Sequence, residues 1–525
     1  MFLARRTGFV FLCTFAYLWW LAASRFVLFM NDEGIYLDGG LRVLHGQMPY
    51  RDFFAITGPG TYALLAASFR VFGVTMAAAR VPVVWDIAIV TACLFWLVSK
   101  LCDSSAAALA AFLYLTFATF VETAVVANHR WDSSAWAILA GTLIVSSAEI
   151  PSAKLSIWKS SIAGIAAGVA AWCTPPVALA AAALGAYLIA GRATRRLFVH
   201  YAAGVAAAFG AGAFWIASTG TLPAMIDSLL WNASNYSGAN RTWYGAVPGG
   251  YSNLVHGASP VETAIAVLVL AIFTLPATLP VFSGIGSAIW LWKRPSRTVG
   301  ILLTLGGALI VSAYPRWDLN HLTWVSAPFY ALTAALIARS SLPSSPGRAA
   351  FRKAAAVIVL LAGGSCLAVV IRQRLAETTR VTSLGTVHGH PEDLDTLAMI
   401  QARVQPSDTL FVFPYRPLLY FLTGARNPTR YSYIQPGMFS EKDESEVLRE
   451  LRAHPPQWVI HAHVSPEKIV FIWPGSDPRR LQMPGIETFL RDNYHESERW
   501  ADLRLLEAAY ARSSAQLPAP SHEHP

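Results

Sequence analysis

At 525 residues, with 54% hydrophobic and 14% charged residues and a mean hydropathy of +0.43, the chain is too apolar for a set of soluble domains and falls in the membrane class. Its net charge of +9 does not make a nucleic-acid footprint, because Lys and Arg punctuate the ends of apolar runs rather than lining one aromatic-rich stripe. The five cysteines offer neither a disulfide framework nor a CxxC metal pair: Cys13, Cys93 and Cys366 lie in apolar runs, Cys102 in a short loop and Cys173 at a helix end.

The first apolar run, Gly8 to Met30, follows Arg5 and Arg6; it is too long for a signal-peptide core and lacks a convincing small-residue cleavage site before Arg25, so it reads as a retained span. By the criterion of roughly 20 apolar residues per crossing, about eleven spans are expected, near 8–30, 76–98, 104–121, 133–148, 157–173, 175–190, 198–217, 260–291, 299–314, 319–338 and 354–371. With the N-terminus in the cytoplasm, Lys100, Lys154, Lys159, Arg192, Arg195, Arg196, Lys293, Arg294, Arg297, Arg339, Arg348, Arg352 and Lys353 all fall inside. The positive-inside pattern is therefore obeyed, and an odd span count puts the C-terminus outside.

Between the first two spans lies a long outer loop, 31–75, which opens with Asn31-Asp32-Glu33-Gly34-Ile35-Tyr36. Apolar residues alternate with polar ones from Ile35 to Leu44, and another amphipathic stretch runs from Tyr62 to Phe72 after the Gly58-Pro59-Gly60 break, so two short interfacial helices are expected. A carboxylate near low dielectric becomes a usable general base, which makes Asp32 and Glu33 catalytic candidates; capping of the following helix is the alternative. Further along, Arg51 has a planar fork suited to phosphate and Asp52 stands beside it, the alternative being an Arg51–Asp52 surface turn. Asp86 falls within the second span, either as a functional group or as the buried partner of a neighbouring helix.

Two later outer segments carry similar chemistry: Glu122 and then Asn128-His129-Arg130-Trp131-Asp132, and Tyr314-Pro315-Arg316-Trp317-Asp318-Leu319-Asn320-His321. A lipid phosphate needs cationic donors and a sugar needs carboxylates and aromatic faces, so His129, Arg130, Arg316 and His321 are binding candidates; interfacial anchoring is the other reading. No metal-ligand spacing is present, so no cofactor is expected, although His129, Asp132 and Asp32 leave a divalent cation open. The loop 218–260, rich in Trp, Tyr, Asn and Gly, suits either a lid or an aromatic belt.

From about Arg372 the composition turns soluble: helices are expected over 392–403 and 442–452, strands over 409–413 and 458–462. The expected division is a helical membrane domain, 1–371, a small extracytoplasmic α/β domain, 372–512, and a disordered Ser/Pro/His-rich tail, 513–525.

Asp32-Glu33 after the first span, Gly46-Gln47-Met48-Pro49-Tyr50-Arg51-Asp52, Gly58-Pro59-Gly60, Phe72-Gly73, and an Arg316–His321–Pro328 series together resemble integral-membrane glycosyltransferases of the GT-C type. The nearest group comprises protein O-mannosyltransferases, aminoarabinose transferases and rhizobial lipopolysaccharide core transferases. That resemblance implies inverting transfer from a polyprenyl-phosphate sugar to a lipid, glycan or protein acceptor at an inner or plasma membrane, with Asp32 as base and Glu33 in support. Aminoarabinose transferases carry Lys-Pro-Pro where this chain has Thr57-Gly58-Pro59, so a phosphate-binding lysine is missing and Arg51, Arg130 or Arg316 must replace it. A transporter or flippase is the rival class, for which Asp86 is the supporting residue, and a non-enzymatic receptor is a third.

Overall fold

A computed structural model describes residues 2–28, 31–120, 125–149, 152–191, 194–247, 250–251, 259–339, 346–500 and 502–509. Glu122, parts of the 218–260 loop and the tail with His522 and His524 lie outside the described residues. The chain forms two compact units: residues 1–26, 56–223 and 241–389 make the first, and residues 27–55, 224–240 and 390–525 the second. The sequence-based division at 371 therefore differs from the observed one. It cuts a helix that runs on to Ala376, and it assigns 27–55 and 224–240 to the membrane part although they pack with the C-terminal segment.

The first unit contains α1 (Phe2–Ala22), α3 (Gly60–Phe72), α4 (Met76–Ser99), α5 (Ser104–Phe120), α6 (His129–Glu149), α7 (Ala153–Cys173), α8 (Ala178–Ala190) and α9 (Arg195–Ser218). It continues with α12 (Pro260–Phe273), α13 (Leu275–Lys293), α14 (Arg297–Ser312), α15 (Leu319–Val325), α16 (Ala327–Arg339) and α17 (Pro346–Ala376). Among the described residues, five helices are long and apolar enough to cross a membrane, and α15 with α16, bent by 71°, forms a sixth candidate. The stretch expected as one span over 260–291 is instead two helices meeting at Thr274, because Pro276 has no N–H to continue the first and suits the opening turn of the second. The core is built from Ile87, Leu94, Ile138, Leu302 and Leu332, all fully buried, while Phe214, Trp292 and Leu361 face outward at 75%, 87% and 67% exposure. Large apolar side chains facing outward in this number fit lipid, not water.

Helix direction sorts the polar groups to two ends. At one end Lys100 pairs with Glu149 at 2.8 Å and Arg297 donates to the Ala148 carbonyl at 3.3 Å. The opposite end collects the start of α6, the finish of α7 and the segment after α14. A hairpin, β1 (Thr378–Thr382) with β2 (Gly385–Gly389), closes the unit, pairing with its backbone at Arg25 and Met76.

The second unit holds a four-stranded mixed sheet ordered β3 (Leu410–Phe413), β4 (Trp458–Ala462), β6 (Leu503–Ala508) and β5 (Tyr494–Trp500). β3 runs parallel to β4 with Leu410 opposite Trp458, and β6 runs antiparallel to both β4 and β5. Its helices are α2 (Asn31–Leu44), α10 (Leu222–Trp231), a π-helical turn Asn232–Tyr236, α11 (Ser237–Ala239), α18 (Pro391–Arg403), α19 (Leu418–Thr423), α20 (Glu441–Ala453), α21 (Pro466–Ile472) and α22 (Pro484–Asn493). All four sequence-expected elements of this region are present, at 391–403, 410–413, 441–453 and 458–462.

Candidate active site

Asp32 and Glu33 occupy the first turn of α2, where the partial positive charge of the helix end favours carboxylates. Asp32 is exposed and accepts a hydrogen bond from the Tyr415 hydroxyl at 2.6 Å; Glu33 is buried. Gly34 makes this possible, since a Cβ there would lie 2.0 Å from the Leu418 nitrogen, and so α2 packs directly on the backbone of α19. Burial, and then the Asp32 carboxylate, push the Tyr415 phenol well above its ordinary range, which keeps it a neutral donor to that carboxylate.

Arg51 and Asp52 form a bidentate pair at 2.8 and 2.7 Å, and Asp52 also accepts from the Met48 N–H at 2.7 Å. The Arg51 guanidinium beside it, aided by that N–H, holds the Asp52 carboxyl below its usual range. This is the surface-turn arrangement. The loop is fastened by Arg430, which donates to the Tyr50 carbonyl at 2.6 Å, with Tyr50 at φ 71°.

In the first unit, the two outer segments come together. His129 and Arg130 stand in the opening turn of α6 rather than in a loop; Arg130 donates to the Ser312 carbonyl at 2.7 Å, and His129 Nδ1 lies 2.7 Å from the Thr174 hydroxyl. Arg316 donates to Asp318 at 2.8 Å, and Asp318 in turn accepts from the His321 backbone N–H and lies 2.8 Å from its ring. Arg130 and His321 both act electrostatically on His129, and Arg316 and Arg130 on His321. Two guanidiniums, buried Arg130 and half-buried Arg316, and two half-buried imidazoles therefore stand at one end of the bundle. Burial alone would raise the Asp318 carboxyl, but His321 and Arg316 outweigh it and hold the group below the carboxylate range.

The Arg316 segment is held from the side by residues 242–246 of the Trp/Tyr-rich loop. Thr242 N–H donates to the Pro315 carbonyl at 3.1 Å, Gly245 N–H to that of Trp317 at 2.7 Å, and Leu319 N–H to that of Ala246 at 3.0 Å. This part of the loop is a brace, while residues 224–239 are helical and belong to the second unit. Asp132, one turn into α6, accepts from the Thr61 hydroxyl at 2.5 Å and lies next to Asp86 of α4. Asp86 thus has a neighbouring-helix partner, and that partner is another carboxyl group. Among the described residues no three His, Cys, Asp or Glu side chains converge to hold a metal ion.

A family model described as dolichyl-phosphate-mannose-protein mannosyltransferase matches residues 57–217. Among solved structures, ArnT from Cupriavidus metallidurans bound to undecaprenyl phosphate is 14% identical, with a TM-score of 0.54 over 95% of this chain and 98% of that one. Its apo state gives a TM-score of 0.55 over 96% and 98%. The oligosaccharyltransferase AglB from Archaeoglobus fulgidus, in complex with an inhibitory peptide and a dolichol-phosphate, is 12% identical, with a TM-score of 0.52 over 98% of this chain and 75% of that one. This chain has the GT-C-type membrane fold shared with ArnT and AglB. A comparison with curated proteins found no match.

The likeness of fold thus extends over 95% of the chain, well beyond the first loop. What sequence reasoning missed are Tyr415, the role of Asp318 as shared partner of Arg316 and His321, and the Asp86–Asp132 contact. Asp318 had a local signal, an Asp three residues before His321 at a helix start. Tyr415 lies 383 residues from Asp32, and no sequence pattern links the two.

Proposed function

We propose that this GT-C protein is a glycosyltransferase that moves a sugar from a polyprenyl-phosphate donor to an acceptor hydroxyl, inverting the anomeric carbon. The observation that carries the reading is that Arg130 and Arg316 are both tied to the end of α14, through the Ser312 and Ala313 carbonyls, with the His129 and His321 rings on the adjoining first turns of α6 and α15. A lipid phosphate that departs as a dianion needs fixed cations, which the Arg130 and Arg316 guanidiniums supply, while the two imidazoles can add hydrogen bonds. The lipid phosphates bound to ArnT and AglB support the same donor class.

In this scheme Asp32 takes the proton of the acceptor hydroxyl. The acceptor oxygen forms its bond to the anomeric carbon as the bond from that carbon to the phosphate oxygen breaks, and the polyprenyl phosphate leaves with the electron pair. Tyr415 orients Asp32, and Glu33 supports the turn that presents it. We assign the leaving phosphate to Arg130 and Arg316 first, with His129 and His321 beside them; Arg51, whose side chain is exposed in a surface turn, is a secondary contact. No organic cofactor enters. The basic residues on the cytoplasm-assigned loops support a multi-pass protein of the inner or plasma membrane with its site on the extracytoplasmic side.

The test is sugar transfer by purified protein from a panel of radiolabelled polyprenyl-phosphate sugars to membrane extract. Asp32→Asn should retain its elution profile and lose about 10²–10⁴-fold in turnover, and Arg316→Ala should lose more than Arg51→Ala. Near-parental turnover of Asp32→Asn would sink the assignment.

A further inference from the structure

The second unit contains a cavity of about 490 Å³ that the proposed chemistry does not use. It is lined by Phe54, by Asp227 and Trp231 of α10, by Arg430 and Tyr431, and by Lys442 and Glu446 of α20. Its size lies within the roughly 300–1,000 Å³ of small-ligand pockets.

Its aromatic wall is rigidly built. Phe54 meets Trp231 edge-on at 4.8 Å and Tyr431 at 5.1 Å, and the Trp231 indole N–H donates to both Asp443 carboxylate oxygens at 3.2 Å. Asp443 is itself locked as the third residue of a capping box with Ser440, so the Trp231 ring plane is fixed through the start of α20. The charges are largely matched within the wall: Glu446 accepts from the Tyr431 hydroxyl at 2.9 Å and pairs with Arg430 at 3.4 Å. Among the described lining residues, one exposed carboxylate, Asp227, and one exposed ammonium, Lys442, remain.

That combination selects its ligand class. A fixed indole face, paired with a lone acceptor and a lone donor, suits a ring whose C–H face is apolar and whose rim carries hydroxyls that both donate and accept. The lining sets three carboxylates, Asp227, Asp443 and Glu446, against two cations, Arg430 and Lys442, a balance that disfavours an anionic ligand, and a lipid tail meets polar groups on most sides. We propose that this cavity is a saccharide-binding subsite for a neutral, hydroxyl-rich sugar of the acceptor. The link to Asp32 is an aromatic chain within the same unit: Phe54 lies 6.0 Å from Tyr433, Tyr433 lies 5.3 Å from Tyr415, and Tyr415 donates to Asp32. That the sugar belongs to the acceptor rests on the glycosyltransferase reading; that the cavity binds sugar does not.

The experiment is saturation-transfer NMR on the full-length Asp32→Asn protein in detergent, with mannotriose, chitotriose and trigalacturonate as probes. A neutral trisaccharide should bind in the millimolar range and the anionic one more weakly. Asp227→Ala, at an exposed position, and Trp231→Leu, with its melting temperature checked, should each weaken binding by about tenfold, the loss of one hydrogen bond or one stacking face. Absence of binding by both neutral probes at tens of millimolar overturns the proposal, as do trigalacturonate binding more tightly than they do and undiminished binding in both variants. Sugar transfer is assayed separately on the parent: an active parent without saccharide binding sinks the subsite alone, and saccharide binding beside an inactive parent sinks the catalytic reading alone.

Discussion

A methyl group at position 34 would sit 2.0 Å from the Leu418 nitrogen and 2.4 Å from its Cα, both backbone atoms that cannot swing aside. Gly34→Ala must therefore push α2 off α19, at a cost of about 1–3 kcal/mol, and carry Asp32 away from Tyr415. The expected result is a lower melting temperature together with a loss of transfer activity; a variant as stable and active as the parent contradicts the packing. Asp318 makes a different prediction, in pH. Its carboxyl is depressed in the fold by His321 and Arg316 against the effect of burial. A depressed carboxyl contributes stability that is fully present above its unfolded value of about 3.9 and is lost as pH falls toward the folded value. Asp318→Asn should thus lower stability by on the order of 2–3 kcal/mol at neutral pH. The gap should hold down to about pH 5 and narrow below about pH 4, as read by thermal melts across that range.

The pairing of α7 with α9 depends on backbone approach. Gly164 and Gly168 on α7 face Tyr201, Val205 and Ala208 on α9: a Cβ at 164 would lie 2.0 Å from the Tyr201 carbonyl oxygen, and one at Gly204 would lie 2.1 Å from that of Ser161. Small residues four apart let membrane helices touch closely, where packing, not the hydrophobic effect, drives association. Gly164→Leu should cost about 3 kcal/mol or more in a detergent melt, whereas Gly210→Leu, on α9 with nothing within 4 Å of its Cβ, should be tolerated. The Gly164-x-x-x-Gly168 pattern stands in the sequence, and a search by hydropathy alone passes over it because both glycines count as apolar filler. Long apolar runs and the two amphipathic stretches of the first loop were readable for the opposite reason: each is specified by its own residues. Thr274-Leu275-Pro276 carried the helix break inside 260–291, but hydropathy averaged across it. β5 was not readable, since Tyr494-His495-Glu496-Ser497-Glu498-Arg499-Trp500 buries only its two ends and owes its pairing to β6. At the site, the basic residues were visible as residue types, while their convergence came from α6 and α15 meeting at one end of the bundle.

On the scale of the whole molecule, the second unit is woven from three separate pieces of chain, 27–55, 224–240 and 390–525. Composition alone suggests that the soluble stretch after the last apolar helix is self-sufficient, but its apolar surfaces are completed from elsewhere. Phe54 stacks among Tyr431, Tyr433 and Phe439, Trp231 sits against Phe439, and α2 covers α19. Small domains keep a narrow margin of stability, about 5–15 kcal/mol, and stripping aromatic partners from a core typically costs about 3–5 kcal/mol for each large side chain removed. A fragment of residues 390–509 alone loses Phe54, Trp231 and the whole of α2 at once. It should therefore be unfolded or aggregated, with a broad, non-cooperative thermal transition by circular dichroism and no monomer peak on size exclusion. The same fragment co-expressed with 27–55 and 224–240 on flexible linkers should recover a cooperative melt. A sharply melting monomer from 390–509 by itself would mean that the C-terminal segment folds as an independent domain, and that the two earlier segments dock onto it afterwards rather than helping to build it.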